Sequence, residues 1–216
     1  MLFFDRLETE TQAARQQLIS TPILLRAMAG DISLIEYVNF LTQAYHHVKH
    51  TTPLLMAVGS RLSEQQEWLR NAIAEYIKEE LGHQEWILND IAACGFDKQQ
   101  VRNSLAAPAT ELMVAYAYDT VSRVNPLGFF GMVHVLEGTS INMADSAAGK
   151  IAAKLGLSEK CFSYLRSHGA LDIEHVNFFT QLMNQITDLD EQRQIIHSAN
   201  MFYQLYGDIF RSIRNT

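Results

Sequence analysis

Residues 125–156 read NPLGFFGMVHVLEGTSINMADSAAGKIAAKLG, and this stretch has the length and the boundaries of one long helix. Pro126 suits the first turn of a helix, where its missing N–H is not needed, and Gly156 suits the position just beyond the end. The residues between them lack the alternation of apolar and polar side chains that is typical of a strand. The stretch therefore predicts a helix from Pro126 to about Leu155 and favours an all-α fold.

The sequence on both sides continues in the same manner. Leu, Ala, Glu and Gln are abundant, and no segment shows sustained strand-type alternation. After Gly156, we expect one helix from Ser158 to about Ile186 and a last one from Asp188 or Asp190 to about Ile213. Before Pro126, helices are expected over residues 4–19, 22–29, 31–61 (capped by Asp31, and kinked or divided at Pro53), 63–95 (capped by Ser63), 97–104 and 109–123. The sequence thus predicts one all-α, helical-bundle domain over residues 1–216.

Composition limits the classes of protein to which the chain can belong. With 216 residues and 48% hydrophobic side chains, it can bury one ordinary core. Its 17 basic and 24 acidic side chains give a net charge of -7, which argues against non-specific binding to nucleic acid or to an anionic membrane.

Cysteine content and hydropathy indicate the cellular setting. Cys94 and Cys161 are too few for a disulfide framework, and their spacing matches no zinc motif. The acid Asp5 interrupts any apolar region of a signal peptide, and no run of consecutive apolar residues approaches the length of a membrane span. We therefore expect a soluble cytoplasmic protein with no nucleic-acid or membrane partner.

Three segments place histidine beside a carboxylate at helical spacing, and the most specific is SHGALDIEH, residues 167–175. His168, Asp172 and His175 stand at positions i, i+4 and i+7, so they would share one stripe of a helix. Apolar neighbours indicate that this stripe borders the core, where two imidazoles and a carboxylate need partners. A metal ion would satisfy all three.

The second segment is EELGH, residues 79–83, in which Glu80 and His83 form a Glu-x-x-His pair. Such pairs supply one oxygen and one nitrogen ligand in carboxylate helix bundles. Glu79 also lies within one turn of His83, so the spacing leaves Glu79 and Glu80 both open as the ligand.

The third segment surrounds Glu137, an isolated acid in the apolar run of the helix that opens at Pro126, with His134 three residues earlier. Each segment also has an ordinary explanation: a solvated pair, or an acid hydrogen-bonded to a buried arginine or tyrosine. Together, three separate helices offer three imidazoles and three carboxylates, which makes coincidence the weaker explanation. Mixed nitrogen and oxygen ligands suit iron or manganese.

A cluster of histidines precedes these segments, in residues 45–50. His46 and His50 stand one turn apart, and His47 lies between them. They could line a substrate pocket or make contacts with the metal ligands, although the sequence favours a position at the surface.

The order Glu80-x-x-His83, isolated Glu137 and His168-x-x-x-Asp172-x-x-His175 resembles the ligand series of the heme-oxygenase-like diiron oxidases and oxygenases. That group belongs to the superfamily of heme oxygenase, thiaminase II (TenA) and pyrroloquinoline-quinone-synthase (PqqC)-like helical proteins. The resemblance covers most of the chain and implies a heme-oxygenase-like helical domain.

The resemblance also implies a cofactor and an activity. Glu80, His83 and His168 would bind one iron, and Glu137, Asp172 and His175 would bind a second, which several family members hold weakly. Such enzymes activate dioxygen to oxidise a small organic substrate, with an electron donor that is not known for this chain. The superfamily further implies a homodimer.

Three other functions on the same fold stay open. They are a thiaminase-type hydrolase, a cofactor-free oxidase of the quinone-synthase kind, and a protein that only binds a small ligand. A heme oxygenase fits less well, because it would need a proximal histidine in its first helix and residues 4–19 contain none.

Overall fold

The computed structural model describes residues 1–170 and 172–214; the side chains of Asn142, of 168–170 and of 172–175 lie outside this description. The described residues form α-helices joined by short turns and contain no strand, so the all-α prediction is confirmed. No helix among them is both long and apolar enough to span a membrane. The helices are α1 (Phe3–Ile19), α2 (Pro22–Ala29), α3 (Leu34–Val48), α4 (Thr51–Arg61), α5 (Glu67–Glu80), α6 (His83–Ala93), α7 (Lys98–Arg102), α8 (Pro108–Asp119), α9 (Phe129–Leu155), α10 (Ser163–Ala170), α11 (Asp172–Asn184) and α12 (Leu189–Ser212).

The segment predicted as one helix over residues 31–61 forms two helices. The predicted N-cap, Asp31, and the predicted point of division, Pro53, are both wrong. Ser33, not Asp31, caps α3, because its side chain accepts a hydrogen bond from the Glu36 amide while Glu36 bonds back to Ser33. The chain divides around residues 49–50 and not at Pro53. Pro53 lies in the first turn of α4, where an absent N–H costs no hydrogen bond.

The helix predicted over residues 63–95 is also divided. Ser63 caps a short 3-10 turn that precedes α5, and α5 ends at Glu80. Gly82 then adopts a left-handed conformation, φ +94°, before α6 begins at His83. Glu80 and His83 are therefore the last residue of one helix and the first of the next, and not two residues on one helix.

The C-terminal boundaries follow the predictions more closely. Gly156 ends α9 in the left-handed region at φ +66°, and Asp188 caps α12. Ser158 caps a 3-10 turn, and α10 begins only at Ser163. α11 follows from Asp172, and Leu171 between the two lies outside the described residues.

The long helix α9 occupies the centre of the fold, with α10, α12 and α2 packed along it. The crossing of α9 and α12 is close at Gly131, where an added Cβ would lie only 2.5 Å from the Ala199 amide nitrogen. One buried cluster joins α1, α4, α5, α8, α9 and α12, and a second joins α3, α6, α9 and α10. The central helix α9 therefore contacts helices from several parts of the chain.

Candidate metal centre

Glu80, at the end of α5, and Glu137, in α9, line the same cavity, which we call the acid cavity. It encloses about 660 Å³ of space, part of which is open to solvent. Both carboxylates are only partly exposed. The other lining residues are His47, Val48, Thr51, Leu55, Tyr76, Phe129, Met132, Val133, Leu136, Ser140, Tyr164 and Tyr206. The fold thus brings together two acids that are 57 positions apart in the sequence (137 − 80).

Glu80 contacts His83 across the bend between α5 and α6. Its Oε2 lies 3.1 Å from Nδ1 of His83, and the imidazole is 3% exposed and packs on Trp86 at a ring distance of 4.2 Å. Two atoms bound to one ion at about 2.1 Å and at a right angle lie about 3 Å apart. The Glu80–His83 pair therefore has a spacing that suits two ligands of one metal ion.

Of the two acids Glu79 and Glu80, the structure places only Glu80 in the lining of the acid cavity. Glu80 lines it, whereas Glu79 is exposed and is not part of its lining. On a helix Glu80, four residues after Tyr76, is offset from it by about 40°, and Glu79, three residues after, by about 60° in the other direction, so the two acids point about 100° apart.

Tyr76 is a cavity residue that the sequence analysis missed. It is 3% exposed, and its hydroxyl has no hydrogen-bond partner among the described residues. Burial raises the pKa of Tyr76 far above its ordinary range, and the negative charges of Glu137, Glu79 and Glu80 raise it further. The phenol therefore stays protonated and can donate a hydrogen bond into the cavity. Its position four residues before Glu80 was the available signal.

The histidines of residues 45–50 are not surface residues as a group. His46 is 1% exposed and its Nε2 lies 2.9 Å from the Ser104 hydroxyl, and His47 is 2% exposed and lines the acid cavity. His50 is half-buried, and its Nδ1 lies 3.1 Å from the Tyr118 hydroxyl. The favoured surface position was therefore wrong for His46 and His47, and the pocket alternative holds for His47.

His134 does not line the acid cavity, although it is only three residues from Glu137. Its Nε2 lies 3.2 Å from the Thr11 hydroxyl of α1, and its ring stacks on Phe179 at 6.2 Å. Burial lowers its pKa to about 4, so the imidazole is neutral near pH 7. His134 thus belongs to the packing between α1 and α9.

His168, Asp172 and His175 were predicted as ligands, and their side chains lie outside the described residues. The backbone places His168 in α10 and the other two at the start of α11. Tyr164, one turn before His168 in α10, lines the acid cavity. No group of three potential metal ligands occurs among the side chains that the structure describes.

The donor set of the acid cavity fits a divalent cation. Two carboxylates face it, an imidazole contacts one of them, and its described lining contains no lysine or arginine that would neutralise the acids. The two cysteines are buried elsewhere, in the second cluster, so thiolate ligands are not available from the described lining. Oxygen and nitrogen donors without sulfur suit iron or manganese.

Comparison with solved structures identifies the fold. A protein from Shewanella denitrificans, described as a domain of unknown function with a heme oxygenase-like fold, aligns with a TM-score of 0.88 at 22% identity over 97% of this chain and 91% of that one. A TenA homolog from Pseudomonas syringae pv. tomato aligns with a TM-score of 0.82 at 13% identity, over 97% and 91%. Heme oxygenase from Leptospira interrogans aligns with a TM-score of 0.78 at 16% identity, over 97% and 98%. The chain therefore has the heme oxygenase-like fold that the sequence motifs implied.

Sequence comparison adds the family. No curated protein sequence matches the chain. The family model described as iron-containing redox enzyme matches residues 38–207, which is well over half of the 216 residues and includes all six predicted ligands. The chain therefore belongs to the family of iron-containing redox enzymes.

Proposed function

We propose that this protein is a non-heme diiron oxidase or oxygenase that uses dioxygen to oxidise a small organic substrate. The observation that carries the proposal is the convergence of Glu80 and Glu137 from separate helices on one cavity, with His83 in contact with Glu80. Membership of an iron-containing redox family supports it.

The structure describes three of the six proposed ligand side chains, those of Glu80, His83 and Glu137. Glu80, His83 and His168 would hold one iron, and Glu137, Asp172 and His175 would hold the other. Bound iron would supply the redox electrons and the open positions that dioxygen needs. The protein would supply fixed ligands and a cavity that restricts water.

The remaining lining residues have roles that follow from their chemistry. Phe129, Met132 and Leu136 form an apolar wall beside Glu137 and limit the access of water to the acids. The Tyr76 hydroxyl remains protonated and can donate a hydrogen bond to a group bound in the cavity. These residues would bind and orient the substrate.

The structure gives less support to a heme oxygenase and to a thiaminase-type hydrolase. A heme oxygenase would need a histidine in the first helix, and α1 contains none. A thiaminase-type hydrolase would need a cysteine in the cavity, but Cys94 and Cys161 lie in the second buried cluster and neither lines it. Burial first, and then the neighbouring Cys161, raise the pKa of Cys94 to about 12, which makes it a poor nucleophile.

Iron stoichiometry in variants tests the proposal. The protein would be loaded anaerobically with Fe(II), and bound iron would be counted for Glu80→Gln, Glu137→Gln and the matched control Glu79→Gln. We expect about two irons per chain in the wild type and in Glu79→Gln, and about one fewer in each of the other two. Full iron content in both Glu80→Gln and Glu137→Gln, with the helical circular dichroism intact, would remove the basis of the proposal.

Several earlier expectations remain part of this proposal. They are an electron donor outside the chain, a homodimeric assembly, a single domain over residues 1–216 and a cytoplasmic location. Size-exclusion chromatography with light scattering measures the assembly directly.

A further inference from the structure

A second cavity adjoins the acid cavity, and its surface is mostly hydrocarbon. This apolar cavity encloses about 780 Å³, part of it open to solvent, and lies between α2, α3, α9 and α12. Its described lining is Ile23, Leu24, Ala27, Met28, Ile32, Glu36, Tyr37, Phe40, Thr139, Ser140, Met143, Ala144, Ala147, Ile151, Tyr164, Leu165, Tyr206, Phe210 and Ile213.

The charged group in this lining, the Glu36 carboxylate, is already paired with an arginine of the protein. Its two oxygens accept hydrogen bonds from Arg26 at 2.9 and 2.7 Å, and one of them also accepts from the Ser33 amide at 2.8 Å. Arg26 holds the pKa of the Glu36 carboxyl below its ordinary range, so the pair stays ionised. Glu36 therefore offers little to a ligand.

Other polar side chains of the lining are also engaged with the protein. The Tyr37 hydroxyl donates to the Cys161 carbonyl at 2.7 Å, the Thr139 hydroxyl to the Val135 carbonyl at 2.6 Å, and the Ser140 hydroxyl to the Glu137 carbonyl at 3.0 Å. A ligand in the apolar cavity would thus meet mainly methyl, methylene and ring carbons. Such a surface selects hydrocarbon, because a polar group placed there would lose its hydrogen bonds to water.

The two cavities share a wall. Ser140, Tyr164 and Tyr206 line both of them, and Ser140 lies three residues beyond Glu137 on α9. A molecule that fills the apolar cavity therefore approaches the acids past these three side chains.

We propose that the apolar cavity binds the hydrocarbon chain of the substrate, and that the reacting end of the same molecule passes Ser140, Tyr164 and Tyr206 into the acid cavity. The binding of the chain follows from the apolar cavity alone. The placement of the reacting end rests on the proposed function.

A chain-length series tests the binding step without turnover. Binding of n-alkanols, n-alkylamines and n-alkanoates of six to ten carbons would be measured by calorimetry on the purified protein under anaerobic conditions. Each added methylene should tighten binding about fourfold until the cavity is full, with the same increment in all three series. A flat dependence on chain length in all three series would overturn the proposal.

Variants of α9 test whether the hydrocarbon chain binds in the apolar cavity. Ala147→Phe fills the cavity and should weaken binding of the octyl compounds by about fifteenfold, equivalent to roughly two methylenes left unburied. Ala153→Phe is the matched control, because Ala153 is exposed on the same helix and lines neither cavity. Equal losses in the two variants would contradict the placement.

A third variant tests the placement independently, in case Ala147→Phe does not fold. Ile151→Ala enlarges the apolar cavity and should move the chain length that binds most tightly upward by one or more carbons. An unchanged optimum in folded Ile151→Ala protein would also contradict the placement. Iron content is counted on the same samples, so a protein that binds alkyl chains but no iron would refute the proposed function and leave the apolar site standing.

Discussion

The hydroxyl of Tyr76 is buried in the acid cavity with no hydrogen-bond partner among the described residues. A buried hydroxyl without a partner costs about 1–3 kcal/mol, so its removal should stabilise the free protein. We expect Tyr76→Phe to raise the free energy of unfolding in urea by about 1 kcal/mol.

Tyr37→Phe is the matched control for this change. Tyr37 is equally buried, but its hydroxyl donates to the Cys161 carbonyl at 2.7 Å. Its removal leaves that carbonyl without the bond and should lower the free energy of unfolding by about 1 kcal/mol. A loss of stability in both variants would show that the Tyr76 hydroxyl has a partner in the folded protein.

His134 makes stability depend on pH. Burial lowers its pKa from 6.5 to about 4; nearby Glu8 raises the pKa and Arg15 lowers it. Between pH 6.5 and 4 the unfolded chain therefore binds a proton at this residue that the folded chain does not. Stability conferred by the neutral imidazole is complete above pH 6.5 and is lost as the pH falls, by at most about 1.4 kcal/mol per pH unit.

Urea denaturation at pH 7.5, 6.5, 5.5 and 4.5 measures this dependence. His134→Phe should lose less stability than the wild type over that range, because the phenyl ring can occupy the aromatic site beside Phe4, Phe179 and Tyr203 without titrating. Parallel pH profiles for the two proteins would contradict the assignment.

The residues of the site differ in how far the sequence could predict them. Glu80 and Glu137 were identifiable because each acid lies among apolar residues or beside a histidine at helical spacing. Tyr76 and His47 carry no such local pattern, and their place in the cavity depends on how α3 and α5 pack against α9. That packing is a property of distant segments, which spacing along one helix does not report.

At the level of elements, the bend between α5 and α6 sets the Glu80–His83 contact. Gly82 adopts φ +94°, and an added Cβ would meet no atom within 4 Å, so a substitution there strains only the backbone. We expect Gly82→Ala to lower the free energy of unfolding by about 1–2 kcal/mol and to weaken Fe(II) binding as the bend readjusts.

Gly95→Ala separates these two effects. Gly95 has φ +88° with no atom within 4 Å of an added Cβ, and it follows the opposite end of α6. It should lose similar stability and keep the iron affinity of the wild type, as measured by urea unfolding and anaerobic Fe(II) titration. If both variants bind iron as the wild type does, the bend does not position the ligands.

Helix ends were predictable where a local signal determines them. Pro22, Gly30, Gly156 and Asp188 each mark a boundary that the structure has. The divisions near residues 49–50 and at Gly82 were not predicted, because the apolar pattern continues across them. Of these two, only Gly82 offered a local signal, a glycine inside the expected helix.

At the level of the whole molecule, the contact between α9 and α12 holds the two longest described helices together. Alanine at Gly131 would place its Cβ 2.5 Å from the Ala199 amide nitrogen and 2.9 Å from the Ile195 carbonyl oxygen, both of which are backbone atoms. The helices would have to move apart. We expect Gly131→Ala to lower the free energy of unfolding by about 1–3 kcal/mol.

Gly149→Ala on the same helix is the control. An added Cβ there meets no atom within 4 Å, so the higher helix propensity of alanine should raise the free energy of unfolding by about 1 kcal/mol. Thermal and urea unfolding would measure both variants. An equal gain in Gly131→Ala would mean that the two helices do not cross closely at this residue.

The overall architecture could be predicted further than the site. Composition and helical periodicity predicted an all-α chain. The order of the ligand motifs predicted the heme oxygenase-like fold, which the Shewanella denitrificans protein shares. The two adjoining cavities could not be predicted, because Ser140, Tyr164 and Tyr206 lie on three helices and become neighbours only in the packed bundle.

The most direct test of the diiron proposal is an anaerobic Fe(II) titration of the wild-type protein, followed by exposure to oxygen in an oxygen electrode. We predict about two irons per chain and oxygen uptake that rises in proportion to bound iron. Absence of iron binding, together with oxygen uptake no greater than that of an iron solution without protein, would contradict the proposal.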